Sequence, residues 1–116
     1  MKKALLLSAL LLLVGTVGAF AVTPVNIVYP IHGATYPITD PAPGALNSMY
    51  FTSSFSVTCG GGGHSAQWGF DTTAVGSATF YDMFSAQFVH KLPGGAHTFW
   101  VNSDCGNDLV KFRVGN

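Results

Sequence analysis

Glutamate is absent from this chain of 116 residues, and charged residues of any kind make up only 9% of it. Mechanisms of glycosyl transfer that depend on a glutamate are therefore excluded. Beyond the N-terminal segment, three basic residues stand against five aspartates, which gives a formal net charge of −2. Such a chain has no basic patch for nucleic acid. The low charge and the many aromatic residues also exclude a disordered chain.

Motifs of the common hydrolase and nucleotide-binding sites are missing as well. The chain has no S-x-x-K and no K-T-G motif, so acyl-enzyme chemistry of that type is excluded. The segment Gly63–Ser65 begins like a nucleophile elbow, but Gln67 stands where the second glycine is required. The glycine run Gly60–Gly63 lacks the G-K-[ST] ending of a phosphate loop, which favours a flexible connector. The sequence therefore predicts a protein that is not an enzyme.

No metal or cofactor site is expected either. The four histidines do not have the spacing of metal ligands. Asp104 and Asp108 lie near a predicted turn, without the dense oxygen ligands of a calcium loop. His97 falls on the inward side of a predicted strand, where a hydrogen-bonded structural histidine is the expected role.

The N-terminal residues indicate export. Lys2 and Lys3 precede an apolar run, Ala4–Val14, and Ala19–Ala21 provides small residues at a signal-peptidase site. A membrane anchor is the alternative, but the apolar stretch contains Thr16 and two glycines, and no basic cluster follows it. We expect a cleaved signal peptide over residues 1–21 and one mature domain over 22–116, with no membrane span, in the periplasm or outside the cell.

The two cysteines, Cys59 and Cys105, each end a segment in which apolar and polar residues alternate. Such alternation is typical of strands with one buried face. The inward positions before the two cysteines are Phe51, Ser53, Phe55 and Val57, and then His97, Phe99, Val101 and Ser103. Two cysteines in an exported chain predict a disulfide inside the domain. The alternative, a pair of free thiols, lacks a C-x-x-C motif or clustered ligands.

About seven short strands follow from the pattern, and no segment beyond the signal peptide has helical periodicity. The expected strands are Val25–Tyr29, Thr35–Ile38, Tyr50–Cys59, Ser65–Phe70, one or two within 78–92, Ala96–Asp104 and Leu109–Val114. Turns are expected at 71–77, 93–95 and 106–108. This pattern predicts an all-β, immunoglobulin-like antiparallel sandwich with one disulfide that crosses between the sheets. Trp68 is expected to pack beside that disulfide.

Aromatic residues crowd the second half of the chain. Trp100 falls on the outward side of its strand. Tyr81 and Phe84 lie in the preceding segment, 78–92, for which the sequence does not define the strand register. An exposed aromatic patch usually marks a contact surface for sugars or proteins. Trp100, Tyr81 and Phe84 are therefore the candidate ligand-binding residues. The alternative is that the segment 78–92 covers Trp100.

Four segments resemble the C-terminal domain of bifunctional penicillin-binding proteins of the 1C type. Tyr29–Tyr36 is similar to that family's P-x-x-G start, and Gln67–Gly76 to its x-W-x-l-D-G-x-x-l-G segment, with Thr72 in place of the glycine. Leu92–Val101 resembles L-x-P-G-x-H-x-l-x-V, with Ala96 as one extra residue, and Lys111–Val114 resembles the closing strand. The resemblance implies a small non-catalytic β-sandwich of the bacterial cell envelope, without active-site residues.

The sequence therefore predicts an exported binding or structural module of the cell envelope. Contact with an envelope protein is the leading hypothesis. Binding of a glycan such as peptidoglycan through exposed aromatic residues is the alternative, and a small protease inhibitor ranks third.

Overall fold

The computed structural model describes residues 24–39, 41, 44 and 47–115, and this part of the chain is almost entirely β-strand. Its six strands are β1 (Val25–Tyr29), β2 (Thr35–Tyr36), β3 (Ser48–Phe70), β4 (Thr73–Pro93), β5 (Gly95–Ser103) and β6 (Gly106–Val114). The all-β prediction is confirmed for these residues. They contain no helix that could span a membrane. The predicted signal peptide, residues 1–21, lies outside the described residues.

A long hairpin formed by β3 and β4 dominates the sheet. The strands have 23 and 21 residues and pair antiparallel from Ser48↔Pro93 to Phe70↔Thr73. The glycine run at 60–63, expected to be a connector, lies inside β3, where the pairing register shifts. The turn expected over 71–77 consists only of Asp71 and Thr72, because the following small residues pair with β3.

The other strands pair with the two halves of β3 and extend the sheet. β1 pairs antiparallel with the first half of β3, around Val25↔Val57, and β5 pairs with the second half, from Ala66 to Phe70. β6 pairs antiparallel with β5, and the short β2 pairs parallel with the end of β6. The resulting order is β1-β3-β5-β6-β2, with β4 on the other side of β3.

The sheet curls so that the inner faces of its two halves pack on each other. The ring of Phe55, in the first half of β3, lies 5.0 Å from Trp68 in the second half and 5.9 Å from Phe99 on β5. Phe51 stacks on Phe112 of β6 at 5.2 Å. The core cluster consists of the buried residues Val25, Met49, Phe51, Phe55, Val57, Ala66, Trp68, Phe70, Leu92, Phe99, Val101, Val110, Phe112 and Val114. Burial of this one continuous cluster is the main driving force for folding.

The predicted disulfide between Cys59 and Cys105 is confirmed, and its two sulfurs lie half-buried at the rim of the core. The position of Cys105 differs from the prediction. Asp104 and Cys105 form the turn between β5 and β6, and residues 106–108 belong to β6 instead of the turn. The hydroxyl of Ser103 explains the shift, because it accepts the backbone N–H of Cys105 and donates to the carbonyl of Gly106.

Candidate functional site

The three predicted ligand-binding aromatics do not share one surface. Phe84 is half-buried on the inner face, with its ring 5.6 Å from Trp68 and 6.1 Å from Phe55. Tyr81 lies opposite Gly63, next to the register shift of the β3–β4 pairing, and 78% of its surface is exposed. Trp100 is half-buried on the outer face of β5. Phe84 is therefore placed among core residues, whereas Tyr81 and Trp100 both reach the surface.

Trp100 is held against the tip of the β3–β4 hairpin. Its indole N–H donates to the backbone carbonyl of Asp71 at 2.8 Å. A Cβ atom added to Gly69 would lie 2.7 Å from Cζ2 of Trp100, so the indole rests directly on the glycine backbone. Trp100 is therefore covered by Gly69 and by the turn at Asp71. The segment 78–92, which the sequence analysis gave as the alternative cover, does not include these residues.

Six exposed polar side chains form a depression on the outer face of the sheet, which we call the outer groove. They are Ser65 and Gln67 of β3, Ser77 and Thr79 of β4, Asn102 of β5, and Asp104 in the following turn. Its main part has a volume of about 540 Å³, and a part of about 390 Å³ adjoins it beside His64 and Tyr81. The groove runs across three strands, from Asn102 on β5 over Gln67 on β3 to Ser77 on β4.

Two aspartate–histidine pairs resemble parts of a catalytic triad. His97 Nδ1 lies 2.7 Å from Asp71 Oδ2, and His64 Nδ1 lies 3.2 Å from Asp104 Oδ1. In a triad the second ring nitrogen contacts a nucleophilic hydroxyl. Here Nε2 of His97 faces the carbonyl of Pro93 at 2.7 Å, and Nε2 of His64 faces the carbonyls of Gly60 and Gly61. Both pairs are thus arranged as hydrogen-bonded structural groups, which is the role the sequence predicted for His97.

Cys59, His64 and Asp104 bring ligand-type atoms within 4.8 Å of one another. The sulfur of Cys59 is committed to the disulfide, and a metal ligand must be the thiolate. The two remaining groups are hydrogen-bonded to each other. Two protein ligands are fewer than a zinc site uses.

The outer side of β4 is a free edge of the sheet. Among the described residues β4 pairs only with β3, although it has 21 residues. Natural edge strands are commonly short, or carry lysine, proline or bulges that prevent pairing with another chain. Here Lys91 and Pro93 stand at the very end of β4, and Asp82, with a φ of 63°, interrupts its middle. We call the intervening stretch, Met83–His90, the free edge, which contains no proline, lysine or carboxylate.

No family model matches this chain, and neither a curated protein nor a solved structure matches it. The assignment of function therefore starts from the surfaces described above. The sequence drew attention to Tyr81 and Trp100. It did not reveal the outer groove or the free edge, because both depend on which strands become neighbours.

Proposed function

We propose that this protein is an exported, non-catalytic binding module with an immunoglobulin-like sandwich fold, and that it binds a protein partner by accepting an extended strand at the free edge. The observation that carries the proposal is the free edge itself. Half of the backbone N–H and C=O groups of an edge strand point away from the sheet and are available to a further strand. Addition of an extended segment to such an edge is a recurrent mode of protein recognition.

The strand order supports the immunoglobulin-like part of the proposal. In a sandwich, β1, the first half of β3 and the second half of β4 would form one layer. The second half of β3, the first half of β4, β5, β6 and β2 would form the other, in agreement with the observed pairing. A disulfide between the layers is a hallmark of many such sandwiches. The resemblance to the C-terminal domain of 1C-type penicillin-binding proteins supports the same interpretation. Its best-matching segment, Leu92–Val101, covers the end of β4, the turn and most of β5.

The disulfide also supports export, because disulfides persist in oxidising compartments such as the periplasm and the extracellular space. The basic, apolar and small-residue segments of the N-terminus agree with this location. The penicillin-binding-protein domain that the chain resembles is appended to enzymes and has no active-site residues of its own. The backbone contacts of His64 and His97 are consistent with a protein that binds and does not catalyse.

The side chains of the free edge indicate what kind of segment would fit. Met83 and Val89 are each 59% exposed on the outer face, whereas Phe84 and Phe88 are half-buried on the inner face. An added strand with apolar residues at alternate positions would cover the uncovered parts of these phenylalanines. Main-chain hydrogen bonds would supply affinity, and the alternate side chains specificity. A partner segment without strong charge fits the uncharged edge.

Lysine substitutions at the edge test the proposal. Met83→Lys and Val89→Lys place a charge where natural edges carry one, and both side chains are exposed enough for the fold to tolerate the change. Leu109→Lys is the matched control, because Leu109 is an exposed apolar residue of similar exposure, 50%, and lies on β6, outside the free edge. The wild-type domain, mixed with envelope extract, should retain a protein whether or not sugars are added. The edge variants should lose it, and the control should keep it.

Hydrogen exchange separates strand addition from contact elsewhere. Binding of the retained protein should slow exchange of the outward-facing amides between 83 and 90, with little change on β6. Retention of the partner by both edge variants, or unchanged exchange along β4, would show that the free edge is not the contact surface. Inhibition of common proteases by the domain would instead favour the inhibitor hypothesis.

A further inference from the structure

We infer that the outer groove is a separate binding site for an extended, neutral oligosaccharide, with Tyr81 and Trp100 at its two ends. This site lies on the face of the sheet, so it does not depend on strand addition at the free edge. Its residues come from β3, β4, β5 and the turn after β5. The inference rests on the chemistry of these side chains, on the position of the two rings and on the absence of cations among the groove residues.

The groove offers the hydrogen-bonding groups that sugars require. Gln67 and Asn102 are directly opposite each other on neighbouring strands, and each amide both donates and accepts. Ser77 pairs with Gln67 on the other side, and Ser65 pairs with Thr79. All of these side chains are exposed. A row of amides and hydroxyls across a shallow surface matches sugar hydroxyls and acetamido groups.

The two aromatic rings bracket this row on the same face. Tyr81 stands opposite Gly63 and Trp100 opposite Gly69, six residues further along β3. Positions separated by an even number of residues share a face, and six residues span roughly 20 Å. That span accommodates several sugar rings of an extended chain. The neighbour of each ring on β3 is a glycine, so no β3 side chain extends over the ring, and the Trp100 indole rests on the backbone of Gly69. Aromatic rings stack on the apolar faces of pyranoses.

Electrostatics restricts the ligand to neutral sugars. Asp104 is the only residue of the outer groove with a formal charge, and its carboxylate contacts His64 at 3.2 Å. The groove has no lysine or arginine to hold a carboxylate, sulfate or phosphate. Acidic polysaccharides and nucleic acids are therefore disfavoured. A protein partner is disfavoured too, because the groove lacks the buried apolar centre that usually carries protein affinity.

Titration calorimetry with two defined probes tests this site. The probes are a chito-oligosaccharide of N-acetylglucosamine and a cello-oligosaccharide of the same length. Tyr81→Ala should weaken binding by about tenfold through lost stacking. The double variant Gln67→Ala/Asn102→Ala should weaken it further. Tyr81 is 78% exposed, so its replacement leaves the core intact. Tyr50→Ala is the matched control, since Tyr50 is an exposed tyrosine on the other half of the sheet, and it should bind like the wild type.

The two probes also identify the source of affinity. Binding of only the chito-oligosaccharide would show that the amide side chains of the groove hydrogen-bond to the acetamido groups of the sugar. Equal binding of both probes would show that the affinity comes from ring stacking and from contacts to sugar hydroxyls. The edge variant Val89→Lys should keep sugar binding, which distinguishes this site from the proposed protein contact. Failure of both probes to bind, or full binding by Tyr81→Ala, would overturn the inference.

Discussion

The indole of Trp68 lies over the backbone of Gly76, its direct neighbour on the adjacent strand β4. A Cβ atom added to Gly76 would lie 2.5 Å from Cε2 and Cζ2 of the indole. The same ring stacks on Phe84 at 5.6 Å and lies 5.0 Å from Phe55. Because Gly76 has no side chain, the tryptophan ring can lie against the backbone of β4 and pack in the core.

Gly76→Ala should destabilise the domain by about 1–3 kcal/mol, because the added methyl group displaces a ring held by two phenylalanines. Chemical denaturation monitored by tryptophan fluorescence measures the loss. Gly61→Ala is the control. The nearest atom to its added Cβ is a carboxylate oxygen of Asp82 at 4.0 Å, and neither glycine has a positive φ. Equal stability of the two variants would contradict the close packing of Trp68 on Gly76.

The disulfide between Cys59 and Cys105 should provide a large share of the stability. It joins residues 46 positions apart. Loop-closure entropy then predicts a contribution of roughly 4 kcal/mol. Cys59→Ser/Cys105→Ser should lower the free energy of unfolding by about this amount in urea titrations. A reducing agent should destabilise the wild type similarly and leave the double variant unchanged. An effect of reductant on the variant would point to another cause.

The inward-facing residues of the fold were predictable from the sequence, because side-chain alternation is a local property. Phe51, Phe55 and Val57 were expected to face inward and are buried. The pairing of Cys59 with Cys105 followed from the same alternation together with the expectation, from the N-terminal residues, that the chain is exported. Two-residue alternation thus identified the core side of the strands and the two partners of the disulfide, although Cys105 lies in the turn after β5.

The breaks between strands were harder to predict, because the local signal was ambiguous. Four glycines in a row resemble a loop, yet Gly60–Gly63 continues β3 with shifts in register. The segment 71–77 resembles a long turn, yet only Asp71 and Thr72 turn. In both places pairing with the neighbouring strand outweighs the local preference of small residues. The outer groove and the free edge depend on that pairing, which is why alternation alone did not reveal them.

Ser53 is a buried polar residue whose hydroxyl has no hydrogen-bond partner in the described part of the chain. It lies on the inner face of β3 between Phe51 and Phe55 and is fully buried. Burial of an unpaired hydroxyl costs about 1–3 kcal/mol. Ser53→Ala removes the hydroxyl and leaves only a small void, so we expect it to raise the free energy of unfolding by about 1 kcal/mol. Ser54→Ala, on the outer face, should change it by less than about 0.5 kcal/mol. A destabilised Ser53→Ala would show that the hydroxyl has a partner.

Asp71 joins the tip of the β3–β4 hairpin to β5 through several hydrogen bonds. Its carboxylate faces His97 Nδ1 at 2.7 Å and accepts the backbone N–H of Thr98 at 2.9 Å. Its own backbone N–H donates to the carbonyl of Thr98. Asp71 has a φ of 56°, which aspartate, asparagine and glycine tolerate better than other residues. One turn residue thus combines the required backbone conformation with a side chain that reaches a buried histidine.

The pair formed by Asp71 and His97 should show strong energetic coupling. His97→Phe fills the buried site and removes both hydrogen bonds of the ring, while Asp71→Gly removes the carboxylate and keeps the turn. Each single variant should lose about 1–3 kcal/mol. The double variant should lose at least about 1 kcal/mol less than the sum, because either single variant already removes the hydrogen bond between the two side chains. Denaturation of all four proteins gives this coupling energy.

The second aspartate–histidine pair provides the comparison for that coupling energy. His64 and Asp104 are 3.2 Å apart, against 2.7 Å for His97 and Asp71, and the His64 side chain is 18% exposed, against 7% for His97. A longer contact beside water is worth less than a short one to a buried ring, since solvent competes with the partner. The cycle built from His64→Phe and Asp104→Gly should therefore give a coupling energy below about 1 kcal/mol. If the two cycles gave the same value, burial of His97 would not be what strengthens its bond to Asp71, and the hairpin tip would be held mainly by its backbone contacts to Thr98.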